Sequence, residues 1–361
     1  MLARQRQWIG PRRLGGLIGV SLILAACSGS AATSAPAASE APPSAAPSEV
    51  AASPSAPAKT LELAYLSFAV ANSYDAPMLA AAQAAAAAGN AKLTVFDANL
   101  DPAAQTKQLQ DAVASGKFDG IVLQPLYGAG LVTGAQDAIK AGVQIGNIDQ
   151  ILGTDNTTAD IQIDGQLVNV VFVPSELGRK IGELVVKACG DANPCNVGYI
   201  YSVKAAALDT SLRDAFNKAT AVNPNIKVVA EGESFYTTAL GLKASQDMLQ
   251  AHPDMTVITG ADQAITGAVQ AVSDAGLKGK VQLVGYGGGA IAFQGIASGD
   301  RYGTVMQAPA TEGAVGVKTF IDAIRSGTAA AGVDVLAGLP DGGVVTKDNV
   351  QTFLPLAEWP G

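Results

Sequence analysis

The stretch "GIVLQPLYGAGLVTGAQDAIKAGVQIGNIDQ", residues 120–150, decides the fold. Two short aliphatic runs, at 120–125 and 143–149, enclose a segment of helical length at 129–141. Aliphatic runs without alternating polar residues are typical of parallel strands that are buried on both faces, and such strands need a crossover to connect them. We therefore predict a strand–helix–strand unit here.

The same alternation continues on both sides of this unit. Further strands are predicted at 61–68, 92–98, 196–201, 226–233, 256–262, 281–288 and 302–307, and further helices at 76–89 and 103–115. The second of these helices has Pro102 at its start and Gly116 as its stop signal. Because the alternation stalls at 151–174 and then restarts, we predict an α/β protein with two doubly wound parallel-sheet lobes. A single eight-stranded barrel is the alternative, and the break near Pro174 argues against it.

The N-terminus has the pattern of an exported, lipid-anchored chain. A basic region precedes an apolar run at 14–26, which is long enough for the core of a signal peptide and too short to span a bilayer. The run ends in Leu-Ala-Ala-Cys, which resembles the bacterial lipobox, so we predict a signal peptide at 1–26 and lipidation of Cys27. Residues 27–60 are rich in Ala, Ser and Pro and are predicted to form a disordered tether. We expect an extracytoplasmic protein, lipid-anchored to the cell membrane on its periplasmic or cell-surface side. A chance cysteine is the alternative.

Composition excludes several kinds of partner. Removing residues 1–26, which hold four arginines and no acid, takes the formal charge from −8 to −12, and an acidic chain is repelled by nucleic acid. Cys189 and Cys195 flank "GDANP", a spacing that allows a disulfide in an oxidising compartment. One histidine and two cysteines do not make a usual structural zinc site, so we expect no metal and no cofactor. We expect a monomer.

Two longer segments carry a family resemblance. "DANLDPAAQTKQLQDAVASGKFDGIVLQP" (97–125) is similar to the N-terminal lobe of ribose- and galactose-type periplasmic binding proteins, and "MLQAHPDMTVITGADQAITGAVQAVSDAGLKGKVQLVGYGG" (248–288) is similar to their C-terminal lobe. The resemblance extends over about residues 61–330 and implies two lobes joined by three crossing segments. The implied lobes are 61–173 plus 309–335 and 174–308 plus 336–361, with crossings near Val173–Ser175, Gln307–Pro309 and Val335–Gly338.

In open parallel sheets, the loops at the carboxyl ends of the strands surround a binding crevice. The candidate binding residues on such loops are Asn72, Tyr74, Asp75, Gln124, Asp149 and Gln150 in the first lobe, and Arg213, Phe235, Tyr236, Asp262 and Gln307 in the second. The resemblance places ligand contacts at or near Asn72, Tyr74, Asp149, Arg213 and Gln307. A sugar needs this mixture, because its C–H face packs on an aromatic ring while its hydroxyl groups need planar donors and acceptors.

Several positions depart from the family's pattern. Ala261 stands where the family has Asn, and Gly287 stands where it has Asp, so two hydroxyl-binding side chains are missing and the glycines are expected to widen the pocket or to expose backbone N–H groups. Gln150 replaces an Arg, and Asp75 stands where ribose binders often have a second aromatic residue. We therefore expect a larger or less hydroxylated sugar, a polyol or a ligand with an aromatic part. Trp359 is expected to be a packing lid rather than a ligand contact.

The sequence thus predicts a solute-binding lipoprotein of an ABC importer, which closes its hinge on a sugar or polyol, contacts permease subunits and catalyses no reaction. A sensory receptor that signals to a membrane kinase or chemoreceptor is an alternative with the same fold. A nucleoside ligand also stays open. An extracytoplasmic hydrolase is disfavoured by the sole histidine, His252, and by the lack of a nucleophile motif.

Overall fold

The aliphatic runs form the strands of two six-stranded sheets. The computed structural model describes residues 59–361. The strands are β1 (Leu61–Ser67), β2 (Ala91–Asp97), β3 (Gly120–Leu123), β4 (Gln144–Asp149), β5 (Val168–Val171), β6 (Cys195–Tyr201), β7 (Ile226–Glu233), β8 (Val257–Ala261), β9 (Gln282–Gly287), β10 (Gly303–Met306), β11 (Val333–Asp334) and β12 (Val344–Thr346). The α-helices are α1 (Asp75–Ala88), α2 (Pro102–Ser115), α3 (Gly128–Lys140), α4 (Pro174–Cys189), α5 (Ala207–Thr220), α6 (Thr238–Ala251), α7 (Asp262–Asp274), α8 (Ala290–Ser298), α9 (Pro309–Ser326) and α10 (Val350–Phe353).

The two sheets have corresponding strand orders and differ in the direction of one edge strand. The first sheet has the strand order β11-β5-β4-β3-β1-β2, and every neighbouring pair is parallel. The second has the order β12-β10-β9-β8-β6-β7, and β12 is antiparallel to its neighbour β10. The order reverses between β1 and β3 in one sheet and between β6 and β8 in the other, which is where open α/β sheets form a ligand crevice. The predicted pair of doubly wound lobes is confirmed.

The predicted strand and helix boundaries hold to within one or two residues, but three strands were missed. Strand β5 lies in the stretch at 151–174 where the alternation stalls, because an irregular segment, rather than a helix, connects it to β4. Strands β11 and β12 have only two and three residues, too few to give a periodic signal.

Helix α2 illustrates how local sequence sets these boundaries. The Asp101 carboxylate caps the helix by accepting hydrogen bonds from the N–H groups of Ala103 (2.8 Å) and Ala104 (3.2 Å). Pro102 occupies the first turn, where its missing N–H costs nothing, and Gly116 ends the helix at φ 61°, a left-handed conformation that suits glycine. Both predicted boundary signals are confirmed.

Helices cover both faces of the first sheet. Leu63 and Tyr65 of β1 are buried in one cluster with residues of α1 and α9, while Ala64 and Leu66 are buried in another with residues of α2 and α3. Consecutive strand residues therefore face opposite helical layers, as the unbroken aliphatic pattern requires.

The chain passes between the two sheets three times. It enters the second lobe from β5 into α4, leaves it from β10 into α9, and crosses again between β11 and β12. Helix α9 packs against α1, β4 and β5 and therefore belongs to the first lobe.

A disulfide between Cys189 and Cys195 joins the end of α4 to the start of β6. Within residues 59–361, no helix combines the length and the apolar character that a membrane span requires. The predicted signal peptide, the predicted lipidation at Cys27 and nearly all of the predicted tether lie outside the described residues.

Candidate ligand-binding site

A pocket lies where the carboxyl ends of the two sheets face each other. Its empty volume is about 450 Å³, part of which is open to solvent. The first lobe lines it with Phe68, Asn72, Tyr74, Asp75, Asp149, Gln150 and Phe172, the second lobe with Leu208, Tyr236, Ala261, Gln263, Tyr286 and Gly287, and the second crossing and the C-terminal tail with Gln307 and Trp359. Seven sequence-predicted residues meet here: Asn72, Tyr74, Asp75, Asp149, Gln150, Tyr236 and Gln307.

One amide group orients two carboxyl groups in the pocket wall. The Gln124 Nε2 group, at the end of β3, donates to Asp75 Oδ1 and to Asp149 Oδ2, the second bond being 3.1 Å long. Its Oε1 atom accepts a hydrogen bond from the Phe68 N–H (3.1 Å), so the amide cannot rotate without losing a partner. Gln124 is fully buried and stands behind the pocket rather than in its lining. The predicted residue therefore acts through its two neighbours.

The backbone itself presents Asp149 to the pocket. This residue ends β4 with φ 70°, a left-handed conformation that is uncommon for residues other than glycine. The Tyr74 hydroxyl approaches its Oδ1 atom at 3.5 Å. Strained backbone of this kind persists where the surrounding structure fixes it, and it clusters at binding sites.

Three buried carboxyl groups lie close together on this side of the pocket. Glu312, on α9, faces Asp149, and neither of its carboxylate oxygens has a donor within the described structure, so the two carboxyls form a hydrogen bond only when they share a proton. Burial raises the pKa of Asp149 to about 7, against hydrogen bonds that favour its ionised form. Burial, followed by the charge of Asp149, raises the pKa of Asp75 and of Glu312 well above their usual values.

Aromatic rings of the two lobes contact each other around the pocket. Phe68 of the first lobe packs edge-to-face on Tyr236 of the second, with ring centroids 6.1 Å apart. Tyr74 packs edge-to-face on Trp359 of the tail, with centroids 5.6 Å apart. Such geometry aligns the ring edge of one partner with the face of the other.

The position of Trp359 explains why glycine stands at position 287, where the resemblance leads one to expect Asp. Its Nε1 group donates to the Gly287 carbonyl oxygen (3.0 Å). A Cβ atom on Gly287 would lie 2.7 Å from Trp359 Cζ2, and Gly287 has φ 130°, a conformation that side-chain-bearing residues rarely adopt. The indole ring thus fills the space beside Gly287, and the expectation that glycine widens the pocket there is wrong. Trp359 lines the pocket instead of only covering it.

Besides Gln124, three sequence-predicted residues lie outside the pocket lining. Arg213, on α5, pairs with Glu231 (3.1 Å), and its guanidinium lies over the Tyr199 ring, 4.7 Å from the centroid. The side chain of Phe235 is 44% exposed. Asp262 is fully buried in an ion pair with Arg301 (2.8 Å), which removes it from the ligand's reach.

Sequence reasoning missed several residues that line the pocket, namely Phe68, Phe172, Leu208, Gln263, Tyr286 and Trp359. Phe68 and Tyr286 lie at predicted strand ends, so their position could have identified them. Phe172 follows β5, which the pattern did not predict, and Trp359 lies in an irregular tail. Within residues 59–361, no cluster of His, Cys, Asp or Glu has the arrangement of a metal site.

Comparison with known proteins identifies the family. Residues 63–328 match the periplasmic binding protein domain. The D-allose-binding periplasmic protein of Escherichia coli K12 is 28% identical over 233 residues, which cover 61% of this chain and 70% of that protein. The ribose import binding protein RbsB of the same organism is 26% identical over 230 residues, which cover 63% of this chain and 72% of that protein.

Solved structures share the fold. The Caulobacter myo-inositol binding protein superposes with a TM-score of 0.70 at 22% identity, covering 81% of this chain and 96% of that one. An ABC transporter solute binding protein from Actinobacillus succinogenes with bound D-allose superposes with a TM-score of 0.68 at 24% identity, covering 81% of this chain and 99% of that one. These relatives are binding proteins, not enzymes. Because the family match spans most of the chain, the protein belongs to the periplasmic binding protein family.

Proposed function

We propose that the protein is the extracytoplasmic solute-binding lipoprotein of an ABC importer and that it binds a sugar or polyol between its lobes. One observation carries the proposal: a pocket between two sheets combines two oriented carboxyl groups with aromatic rings from both lobes. Carboxyl and amide groups match the hydroxyls of a polyhydroxylated ring, and aromatic rings match its C–H faces. The named ligands of the relatives, allose, ribose and myo-inositol, support the same class.

The ligand contacts that we propose are the predicted residues that line the pocket: Asn72, Tyr74, Asp75, Asp149, Gln150, Tyr236 and Gln307. Phe68 and Trp359 add aromatic contacts. Each buried hydroxyl left without a partner costs about 1–3 kcal/mol, so this polar lining discriminates between sugars by their hydroxyl positions.

Hinge closure would allow a permease to recognise that a ligand is bound. The pocket draws residues from both lobes, so a ligand inside it touches both and stabilises the closed form by its higher affinity for that form. A permease that contacts both lobes then distinguishes the loaded protein from the open one. The proposed lobes are 61–173 plus 309–335 and 174–308 plus 336–361.

Lipid on Cys27 is proposed to hold the protein at the membrane, after removal of residues 1–26. The tether at 27–60 would reach about 30 Å as a flexible coil, enough to let the lobes meet a permease in the same membrane. Replacing Cys27 by Ser is expected to release the protein from the membrane fraction.

A thermal-shift screen of the unlipidated chain carrying Cys27→Ser tests the proposed ligand class. Pentoses, hexoses, polyols and nucleosides are the compounds to compare. A ligand at 100 times its Kd adds about 2.7 kcal/mol to the stability of the folded state, which is a clear rise in melting temperature. Nucleosides alone raising the melting temperature, or no compound doing so, would refute the sugar or polyol assignment.

A further inference from the structure

In the part of the chain that the structure describes, the lining of the pocket contains carboxyl groups but no basic side chain. Among the described residues that line it, none is Lys, Arg or His, whereas two of them, Asp75 and Asp149, carry a carboxyl group. Glu312 adds a third, fully buried carboxyl that faces Asp149, and neither of its oxygens accepts a hydrogen bond from an N–H or hydroxyl donor among the described residues. The carboxyl groups at this site therefore have no basic partner in the lining.

Arg213 and Arg301 of the second lobe each form an ion pair outside the pocket lining. Arg213 pairs with Glu231 and lies over the Tyr199 ring. Arg301 is buried in its ion pair with Asp262. Neither can neutralise the pocket carboxyls without breaking a partnership of its own, and in a buried site that loss is costly.

Neutral donors only partly satisfy these carboxyls. The single amide group of Gln124 serves both Asp75 and Asp149, and the Tyr74 hydroxyl reaches Asp149 only at 3.5 Å. A buried carboxylate without a countercharge is unfavourable, so an opposite charge from the ligand would be strongly attracted.

The aromatic residues favour the same kind of ligand. Phe68, Tyr236, Tyr74 and Trp359 form two ring pairs around the pocket. The faces of aromatic rings attract cations, and rings combined with carboxylates are a common way to bind an ammonium group.

Building on the proposed function, we infer that the ligand carries a protonated amino group: an aminated sugar or cyclitol whose ammonium lies against Asp75 and Asp149. The hydroxyl groups of such a ligand would bond to the neutral lining, which includes Asn72, Gln150 and Gln307.

Binding of the cation is linked to proton release. Since the pKa of Asp149 is about 7 in the buried site, an ammonium must displace a proton from this group below that pH. The titratable groups that face Asp149 from the elements around it are Asp75, Glu312, Tyr65, Tyr74 and Tyr236. Affinity for the cation is expected to rise with pH between 5 and 7, by up to about tenfold per pH unit for each proton released.

Calorimetric titration with matched ligand pairs tests the inference. The pairs are D-glucosamine with D-glucose, D-galactosamine with D-galactose, and an aminocyclitol with myo-inositol, and the N-acetylated hexosamines serve as uncharged counterparts. We expect the amine of at least one pair to bind at least tenfold more tightly than its hydroxyl partner, and N-acetylation to remove that advantage. Neutral members that bind equally well or better overturn the inference and leave the proposed function standing. If no member of any pair binds, the inference is refuted, and the thermal-shift screen with its wider set of pentoses, hexoses and polyols decides the proposed function.

Charge-neutralising variants test whether Asp75 and Asp149 cause the higher affinity for the amine. Asp149→Asn and Asp75→Asn are each expected to reduce the ratio of amine to hydroxyl affinity by tenfold or more, with folding verified by circular dichroism. Asp111→Asn, which changes the net charge equally but removes an exposed carboxyl paired with Lys107 on α2, is the matched control and should keep the ratio. An unchanged ratio in both pocket variants would contradict the inference, and either variant suffices if the other does not fold.

Discussion

Single residues carry the electrostatics of the site. Asp149 lies at the end of a buried strand with a left-handed backbone, beside a second and a third carboxyl. Such a group is poorly suited to stability, because burial opposes its ionisation. Its presence in the lining accords with the ligand contact that we propose for it.

The first prediction concerns the stability of the ligand-free protein as a function of pH. The pKa of Asp149 is about 7 in the folded state and ~3.9 in the unfolded state, so the folded state binds more protons between these values. This contribution to stability is fully present below pH ~4 and is lost as the pH rises towards 7. The Asp149→Asn variant has no carboxyl at this position and so does not lose this contribution. The free energy of unfolding of the variant minus that of the wild type is therefore expected to increase by roughly 1–4 kcal/mol from pH 4 to pH 8.

Urea unfolding at several pH values measures this difference. Asp111→Asn is the control, because its exposed carboxyl should leave the difference from the wild type small at every pH. A stability difference for Asp149→Asn that stays flat from pH 4 to pH 8 would show that the buried carboxyl is not protonated in the folded state.

The second prediction concerns Gly287. Gly287→Ala places a Cβ atom 2.7 Å from Trp359 Cζ2 and should displace the indole ring from the pocket wall. Gly299→Ala is the matched control, since Gly299 also has a positive φ of 85° but has open space around the added atom. Both variants should lose stability, by roughly 1–3 kcal/mol for backbone strain, and only Gly287→Ala should lose ligand affinity. Equal ligand affinity in the two variants, measured by calorimetry, would remove Trp359 from the site.

Among the secondary-structure elements, the β9–α8 turn depends on a buried ion pair. Asp262, the first residue of α7, accepts hydrogen bonds from the Gly288 N–H (2.6 Å), Thr304 Oγ1 (2.8 Å) and Arg301 Nη1 (2.8 Å). Arg301 also donates to Thr266 Oγ1 (2.6 Å). The pair thus ties α7 to the glycine-rich turn on which Trp359 packs.

The third prediction is that Asp262→Ala destabilises the protein by about 3–5 kcal/mol, because it leaves the Arg301 charge buried without a partner. Asp247→Ala, which breaks the exposed pair with Lys243 on α6, should cost only about 0.3–0.5 kcal/mol of pair energy. Chemical denaturation of the two variants gives the comparison, and similar losses in both would contradict a structural role for the buried pair.

The repeating strands and helices could be predicted from the sequence, because each is long enough to show the hydrophobic pattern that is typical of a buried strand or of a helix. The helix at 129–141 and the strands at 120–125 and 143–149 are of this kind. Strand β5 could not be predicted, since an irregular segment replaces the expected crossover helix.

The site was predictable where it depends on strand ends and not where it depends on tertiary contacts. Asp149 ends strand β4 and lines the pocket, as its position suggests. Arg213, on helix α5, pairs with Glu231 on strand β7 instead, and no sequence spacing reveals that pairing. Trp359 reaches the pocket because main-chain hydrogen bonds from the N–H groups of Ala290 and Ile291 (2.9 Å each) hold the tail, and periodicity does not reveal these bonds either.

For the molecule as a whole, the C-terminal tail links the two lobes. The main-chain oxygen of Trp359 accepts a hydrogen bond from the Ala290 N–H in the second lobe. The Glu358 carboxylate accepts hydrogen bonds from the N–H (2.9 Å) and the hydroxyl of Thr311, on α9 of the first lobe. The tail therefore contacts both lobes.

The fourth prediction is that Glu358→Ala weakens ligand binding without unfolding the protein. The lost contact with Thr311 is expected to reduce the preference for the closed form by about 0.5–1.5 kcal/mol, which is roughly a two- to tenfold rise in Kd. Glu183→Ala, at an exposed position of α4 paired with Arg179, is the control. Calorimetry that gives the same Kd for both variants would exclude the tail from closure.

The central claim is that a small polar ligand binds between the lobes, against Trp359. The chain has two tryptophans, Trp8 and Trp359, and loss of residues 1–26 leaves Trp359 as the sole fluorophore of this type. Tryptophan fluorescence of that form, titrated with a sugar, polyol or amino-sugar ligand from the thermal-shift or calorimetric experiments, therefore reports on the pocket directly. We predict a saturable change in emission, with a midpoint equal to the calorimetric Kd, and protection of Trp359 from acrylamide quenching. Saturating ligand that leaves both the emission and the quenching of Trp359 unchanged would contradict binding at this site.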